Sequence, residues 1–204
     1  MRRSKYGYLL LALLVITGLA GTITSTTISG KERKFAANAL KETKSDLLVA
    51  VKDLSRKQLE FRTVRGTLSI KDYVYHIARA EKSYWSIVQA GLRQPTNPEK
   101  RADIHLTDEQ LVETVQQEPS NRKEEHAAKA GFRTVDDALE TFKTNRANHL
   151  KYIKSTTEDL RNHIVLTPLG WLDCYQVCLL IAAQTGRYVQ RIEEIKANPK
   201  FPSR

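Results

Sequence analysis

The stretch "LLIAAQTGRYVQRIEEI", residues 179–195, decides how this chain is read. Its apolar residues recur at helical rather than strand spacing. Val177, Ile181, Gln184, Tyr188, Ile192 and Ile195 fall on one line at steps of 4, 3, 4, 4 and 3, the signature of one buried helical face. Two members of that line, Gln184 and Tyr188, are polar and one turn apart. Two metal-binding histidines would take that spacing, and here an amide and a phenol occupy it. A buried amide without a partner costs about 1–3 kcal/mol, and Tyr188 is the partner within reach. The helix is expected to begin near Leu172 and run to Lys196, because Pro199 and Pro202 forbid its continuation.

Working outward, three more long helices appear. Leu40, Leu47, Val51 and Leu54 mark a helix from about Lys31 to Leu54, after which "LSRKQLEFRTVRG" breaks the pattern. Ser69 with Asp72 forms a capping-box variant ahead of a second helix, with Ile70, Tyr73, Ile77, Tyr84 and Val88 inward and Gly91 at its end. Thr134 with Asp137 opens a third, which runs to about Thr157 with Leu139, Phe142, Leu150 and Ile153 inward. Between the second and third lies a long excursion. It comprises the turn-rich "RQPTNPEKR", a short helix opened at Thr107, and the polar "QQEPSNRKEEHAAKAGFR", read as a loop. "LRNHIVLTPLG" reads as an irregular link, and no strand alternation is evident. The expected fold is all-α, a four-helix bundle with the excursion inserted between helices 2 and 3.

The 204 residues carry 33 Lys+Arg and 23 Asp+Glu, a net charge of +10. Residues 1–30 contribute Arg2, Arg3 and Lys5 and no acid, so the remainder carries +7 (30 minus 23). That excess is spread out, without a basic run interleaved with aromatics, and nucleic-acid binding is not expected. Residues 1–30 have the layout of a secretory signal peptide, or of a retained membrane anchor: basic "MRRSK", apolar "YGYLLLALLVITGLAG", then small polar "TITSTTISG". The expected division is a leader over 1–30 and a bundle domain over 31–202, outside the cytoplasm. The two cysteines, Cys174 and Cys178, are expected as buried free thiols, because neighbouring turns of one helix give poor disulfide geometry.

Five histidines remain. His76 flanks the buried stripe of the second helix and is either a hydrogen-bonded core residue or a ligand; His149 is expected to face solvent. His105, His126 and His163 show no ligand spacing.

"SIKDYVYHIARAE" (69–81) is similar to the Ser-Ile-x-Glu-x-x-x-His-Ile-x-x-x-Glu segment of the DinB-like superfamily, four-helix bundles that include thiol-dependent transferases and isomerases. "QPTNPEKR" (94–101), "DLRNH" (159–163), Gly170–Tyr175 and "AAQTGRYVQRIEEIKANPKFP" (182–202) follow in the order of its secreted branch. The resemblance implies a divalent metal held by one histidine of the second helix and two of the fourth. It puts His76 at the first position but Gln184 and Tyr188 at the other two, with Arg187 keeping the family's residue. An amide oxygen is a weak donor and a phenol must first lose a proton with pKa near ~10. His76, Gln184 and Tyr188 are therefore expected to form a degenerate site with no high-affinity metal, no cofactor and a non-catalytic binding role. The alternative is a zinc- or nickel-dependent hydrolase or thiol transferase with ligands from elsewhere, such as His163 or Asp173. The partner classes left open are a small molecule, a protein and a second copy of the chain.

Overall fold

The structure is a computed structural model, and it describes residues 27–64, 67–117 and 131–203. The leader up to residue 26, most of the expected polar loop, and His126 lie outside the described residues. Six helices and one hairpin follow in order: α1 (Gly30–Ala50), α2 (Arg56–Leu59), α3 (Ile70–Leu92), a 3-10 turn at Pro98–Asp103, α4 (Asp108–Gln117), α5 (Val135–Ser155), β1 (Ile164–Thr167), β2 (Gly170–Asp173) and α6 (Cys174–Lys196).

Local chemistry starts these helices. Ser29, Ser55, Ser69, Thr134 and Asp173 each cap a helix through a reciprocal capping box, an arrangement that satisfies otherwise orphaned N–H groups. α1 ends earlier than its periodicity predicts. Asp53 takes a left-handed φ of 56° and turns the chain into α2. Ile28 is buried in the core and Ser29 caps α1, so core packing extends at least two residues ahead of the first helix.

The four long helices α1, α3, α5 and α6 form the expected bundle. α6 packs on α1 and α3, α5 packs on the same two from the other side, and α4 lies along α6. α6 is buried without a break from Cys174 to Thr185 and again at Arg187–Val189, Ile192 and Ile195. A helix that is covered nearly all round is the core element of the molecule. The predicted stripe from Val177 to Ile195 is buried throughout.

Two sequence expectations are corrected. The link before α6 is an antiparallel hairpin, with Ile164 opposite Asp173 and Thr167 opposite Gly170. Four-residue strands are too short to display alternation in sequence, and the φ of 98° at Gly170 supplies the turn conformation. Gly91 does not end α3 but lies in its last turn. A Cβ there would come within 2.6 Å of Val165 Cγ1 and 2.9 Å of Cys174 Sγ, so the glycine allows α3 to meet the hairpin and the start of α6.

His149 is the third correction. Instead of facing solvent it is 3% exposed, and its Nδ1 lies 2.8 Å from Glu81 Oε1. Glu81 on α3 also receives two hydrogen bonds from Arg146 of α5, Nε to Oε1 and Nη2 to Oε2, both at 2.7 Å. Arg146 Nη1 donates to Leu40 O and Thr43 Oγ1 of α1, and its Nη2 also donates to Thr185 Oγ1 of α6, each at 2.8 Å. All five guanidinium N–H groups are thus used, and one side chain ties the four bundle helices together. Trp85 covers the group, with its ring centroid 4.3 Å from that of His149. Burial pushes the Glu81 carboxyl up, but the hydrogen bonds from Arg146 and His149 more than offset it and hold the acid below its usual 4.5.

Removing one partner from a buried ion pair costs about 3–5 kcal/mol, because the other charge is left unpaired. Arg146→Ala is expected to lose that much in urea denaturation. The stability contributed by Glu81 is fully present above the usual carboxylate value of 4.5 and is lost as pH falls through its depressed folded value. An acid titration of stability that is as steep in Glu81→Gln as in wild type would contradict this assignment.

Candidate functional site

His76, Gln184 and Tyr188 were singled out in sequence, and the fold places all three at the α3–α6 contact. They are 5%, 7% and 7% exposed. The Tyr188 ring lies 6.0 Å from the His76 ring and 5.7 Å from that of Tyr73. Helical spacing explains the convergence. Tyr73, His76 and Ile77 share one face of α3, and Gln184, Tyr188 and Ile192 share the facing stripe of α6.

Two arginines complete the group, and sequence reasoning gave neither a role. Arg79 Nη2 sits 3.4 Å from His76 Nδ1. A guanidinium can only donate, so Nδ1 is the acceptor and the ring proton of the neutral imidazole resides on Nε2. Arg187 is almost fully buried. Its Nη1 donates to Gln184 Oε1 at 3.4 Å, and its Cζ lies 5.4 Å from the centroid of the Tyr188 ring. The signal for Arg79 was its position one turn after His76, and for Arg187 its position one turn after Gln184 (i, i+3 in both cases).

The residues considered as replacement ligands lie elsewhere and have other partners. Asp173 caps α6 through Oδ1 and accepts from Arg161 through Oδ2. His163 Nδ1 lies 3.1 Å from Gly91 O. Asp173 is eleven residues before Gln184, about 16 Å along the helix axis. Among the described residues, no three His, Cys, Asp or Glu side chains converge in a way that could hold a metal ion. The two cysteines are buried and free, as expected. Burial pushes the Cys174 thiol up to about 12 and that of Cys178 higher still, which leaves both protonated and unreactive near neutral pH.

A second polar centre lies at the opposite end of α6, beside a cleft of about 840 Å³. Here the starts of α1, α4 and α6 meet around Arg161. Arg161 donates through Nε and Nη2 to Glu32 Oε1, through Nη1 and Nη2 to the two oxygens of Asp108, and through Nη1 to Asp173 Oδ2. Its guanidinium lies 4.1 Å from the centroid of the Tyr175 ring. Burial pushes Glu32 up, but bonds from Ser29 and Arg161 hold it below the usual range; at Asp173 burial wins and the acid is raised despite Arg161. These acids serve the helix starts and Arg161, so this centre is a structural clamp.

Four long helices with this connectivity define a class of protein. The DinB superfamily model matches residues 39–187, and the chain belongs to that superfamily. Among solved structures it is similar to YfiT from Bacillus subtilis, described as "a probable metal-dependent hydrolase with an unusual four-helix bundle topology". The TM-score is 0.59 at 15% identity, covering 83% of this chain and 89% of that one, a likeness that establishes the fold. No curated protein matches the sequence.

Arg161→Ala is expected to destabilise by about 3 kcal/mol at neutral pH, with a smaller loss at pH 4. Removing the cation leaves Glu32, Asp108 and Asp173 facing one another, and protonation relieves that repulsion. Thermal unfolding at the two pH values measures the difference; an equal loss at both would contradict the clamp.

Proposed function

We propose that this chain is an exported DinB-like protein whose α3–α6 pocket binds a small molecule or partner without metal chemistry. The export part of this reading rests on the leader sequence of residues 1–30. The binding part rests on the guanidinium groups at His76 and Gln184. A histidine that ligates a metal through one nitrogen donates its other N–H to a carboxylate, carbonyl or water. At His76 that second nitrogen faces Arg79 instead. The Gln184 oxygen, the one lone-pair donor the amide could offer, is engaged by Arg187. A divalent cation would therefore meet a donor set of one imidazole, one amide and one phenol, with the imidazole and amide already engaged by arginines. That set does not suit zinc or nickel, and no metal-activated step is assigned to it.

A second reading is a metal-dependent hydrolase or thiol transferase of the superfamily's type. The likeness to YfiT and the histidine at position 76 favour it. It requires ligands that replace Gln184 and Tyr188, and neither His163 nor Asp173 is placed to do so.

Metal analysis of the purified protein after exposure to Zn²⁺ or Ni²⁺ separates the two. The expected content is far below stoichiometric for the wild type. The double variant Gln184→His, Tyr188→His is expected to gain metal, because it supplies two imidazoles opposite His76. Stoichiometric metal in the wild type that disappears in His76→Ala would overturn the proposal.

A further inference from the structure

Leu166 and Trp171 face each other across the β1–β2 hairpin. Leu166 is 64% exposed and Trp171 is half-buried. Their neighbours Val165 and Leu169 pack on the apolar core, but neither Leu166 nor Trp171 belongs to it. Lys100, on the 3-10 turn, lies over the indole with Nζ 5.3 Å from the ring centroid. A leucine beside an amphipathic indole, with a long cationic side chain laid along it, suits the boundary between lipid and water.

The hairpin also sits where the leader joins the bundle. β2 runs directly into α6, whose start Arg161 ties to that of α1. Asn97, just ahead of the 3-10 turn, holds both the N–H and the carbonyl of Ile164 in β1. Thr27, the first described residue, lines the same cleft as Arg101 and Arg161. The strongly apolar part of the leader covers residues 6–21, and only residues 22–26 separate it from Thr27. Five residues reach no more than about 18 Å when fully extended. An anchor over that run would hold the hairpin end of the bundle close to the bilayer. The opposite end, where Lys196 bonds to the Ala50 carbonyl, lies the length of α1 away, about 30 Å.

We infer that the hairpin end of the bundle docks on an anionic bilayer, with Leu166 and Trp171 among the lipid headgroups and Lys100 and Arg101 at their phosphates. This goes beyond the proposed function and shares with it only the export reading of the leader. Charge favours the docking. Residues 31–204 carry +7 (30 minus 23), and beside the hairpin Arg93, Lys100 and Arg101 outnumber Glu99 and Asp103.

Tryptophan quenching by brominated lipid tests this. The full-length chain is bound to vesicles of phosphatidylglycerol and phosphatidylcholine, the latter brominated on its acyl chains. The other tryptophan, Trp85, is stacked on His149 within the bundle and serves as the unquenched reference. The wild type is expected to lose emission on binding and Trp171→Phe to lose none. Leu166→Asp should reduce the loss seen in the wild type. Both side chains lie outside the core, so the variants are expected to keep the wild-type melting temperature. Quenching that is the same in wild type and Trp171→Phe overturns the inference, and so does quenching indifferent to Leu166→Asp. A hairpin covered by a protein partner or a second copy leaves Trp171 unquenched on bound chain, which overturns it too. A full-length chain that does not bind the vesicles at all removes the anchor reading as well. Metal content reports on His76, Gln184 and Tyr188 separately, so either reading can fail without the other.

Discussion

A single guanidinium holds this bundle in register. Arg146 leaves α5 and reaches α1, α3 and α6 with all five of its N–H groups. A charge placed in so dry an environment is costly unless every donor is met. The helices must therefore present Glu81, Thr43, Thr185 and the Leu40 carbonyl at one point. Apolar packing alone would tolerate small rotations and slips between helices; a fully subscribed arginine does not. The α3–α6 contact inherits that precision, since Thr185 sits beside Gln184 on α6 and Glu81 lies slightly more than one turn from His76 on α3.

The molecule thus uses buried arginines in three different ways. Arg146 neutralises a buried carboxylate and orders four helices. Arg161 neutralises three carboxylates and gathers three helix starts. Arg187 donates to the Gln184 oxygen, and Arg79 sits against His76, at the α3–α6 contact.

Much of the framework was legible in the sequence. The caps at Ser69 and Thr134, the stripe on α6 and the length of the excursion together specify a four-helix bundle. The convergence of His76 with Tyr188 was also legible, through helical spacing and family resemblance. The buried ion triad was overlooked because Glu81, Arg146 and His149 look like a solvated face when each helix is read alone. Yet the signal was present. The inward set on α3 jumps from Ile77 to Tyr84, and Glu81 fills the missing step; on α5, Phe142 and Ile153 are bridged by Arg146 and His149. What could not be read was the pairing itself, between residues 65 apart, because local periodicity carries no information about which polar group answers which. The hairpin escaped for a different reason: its strands are shorter than the window over which alternation becomes visible.

The position of α6 in the chain has a consequence for how the protein comes into being. The helix that all of α1, α3 and α4 lean on follows them in the chain. Until Cys174–Lys196 has left the ribosome, α1 and α3 can pack on α5 but not on the helix that covers their other side. The complete bundle must therefore await synthesis of α6, with non-local closure of α1 onto it as the slow step.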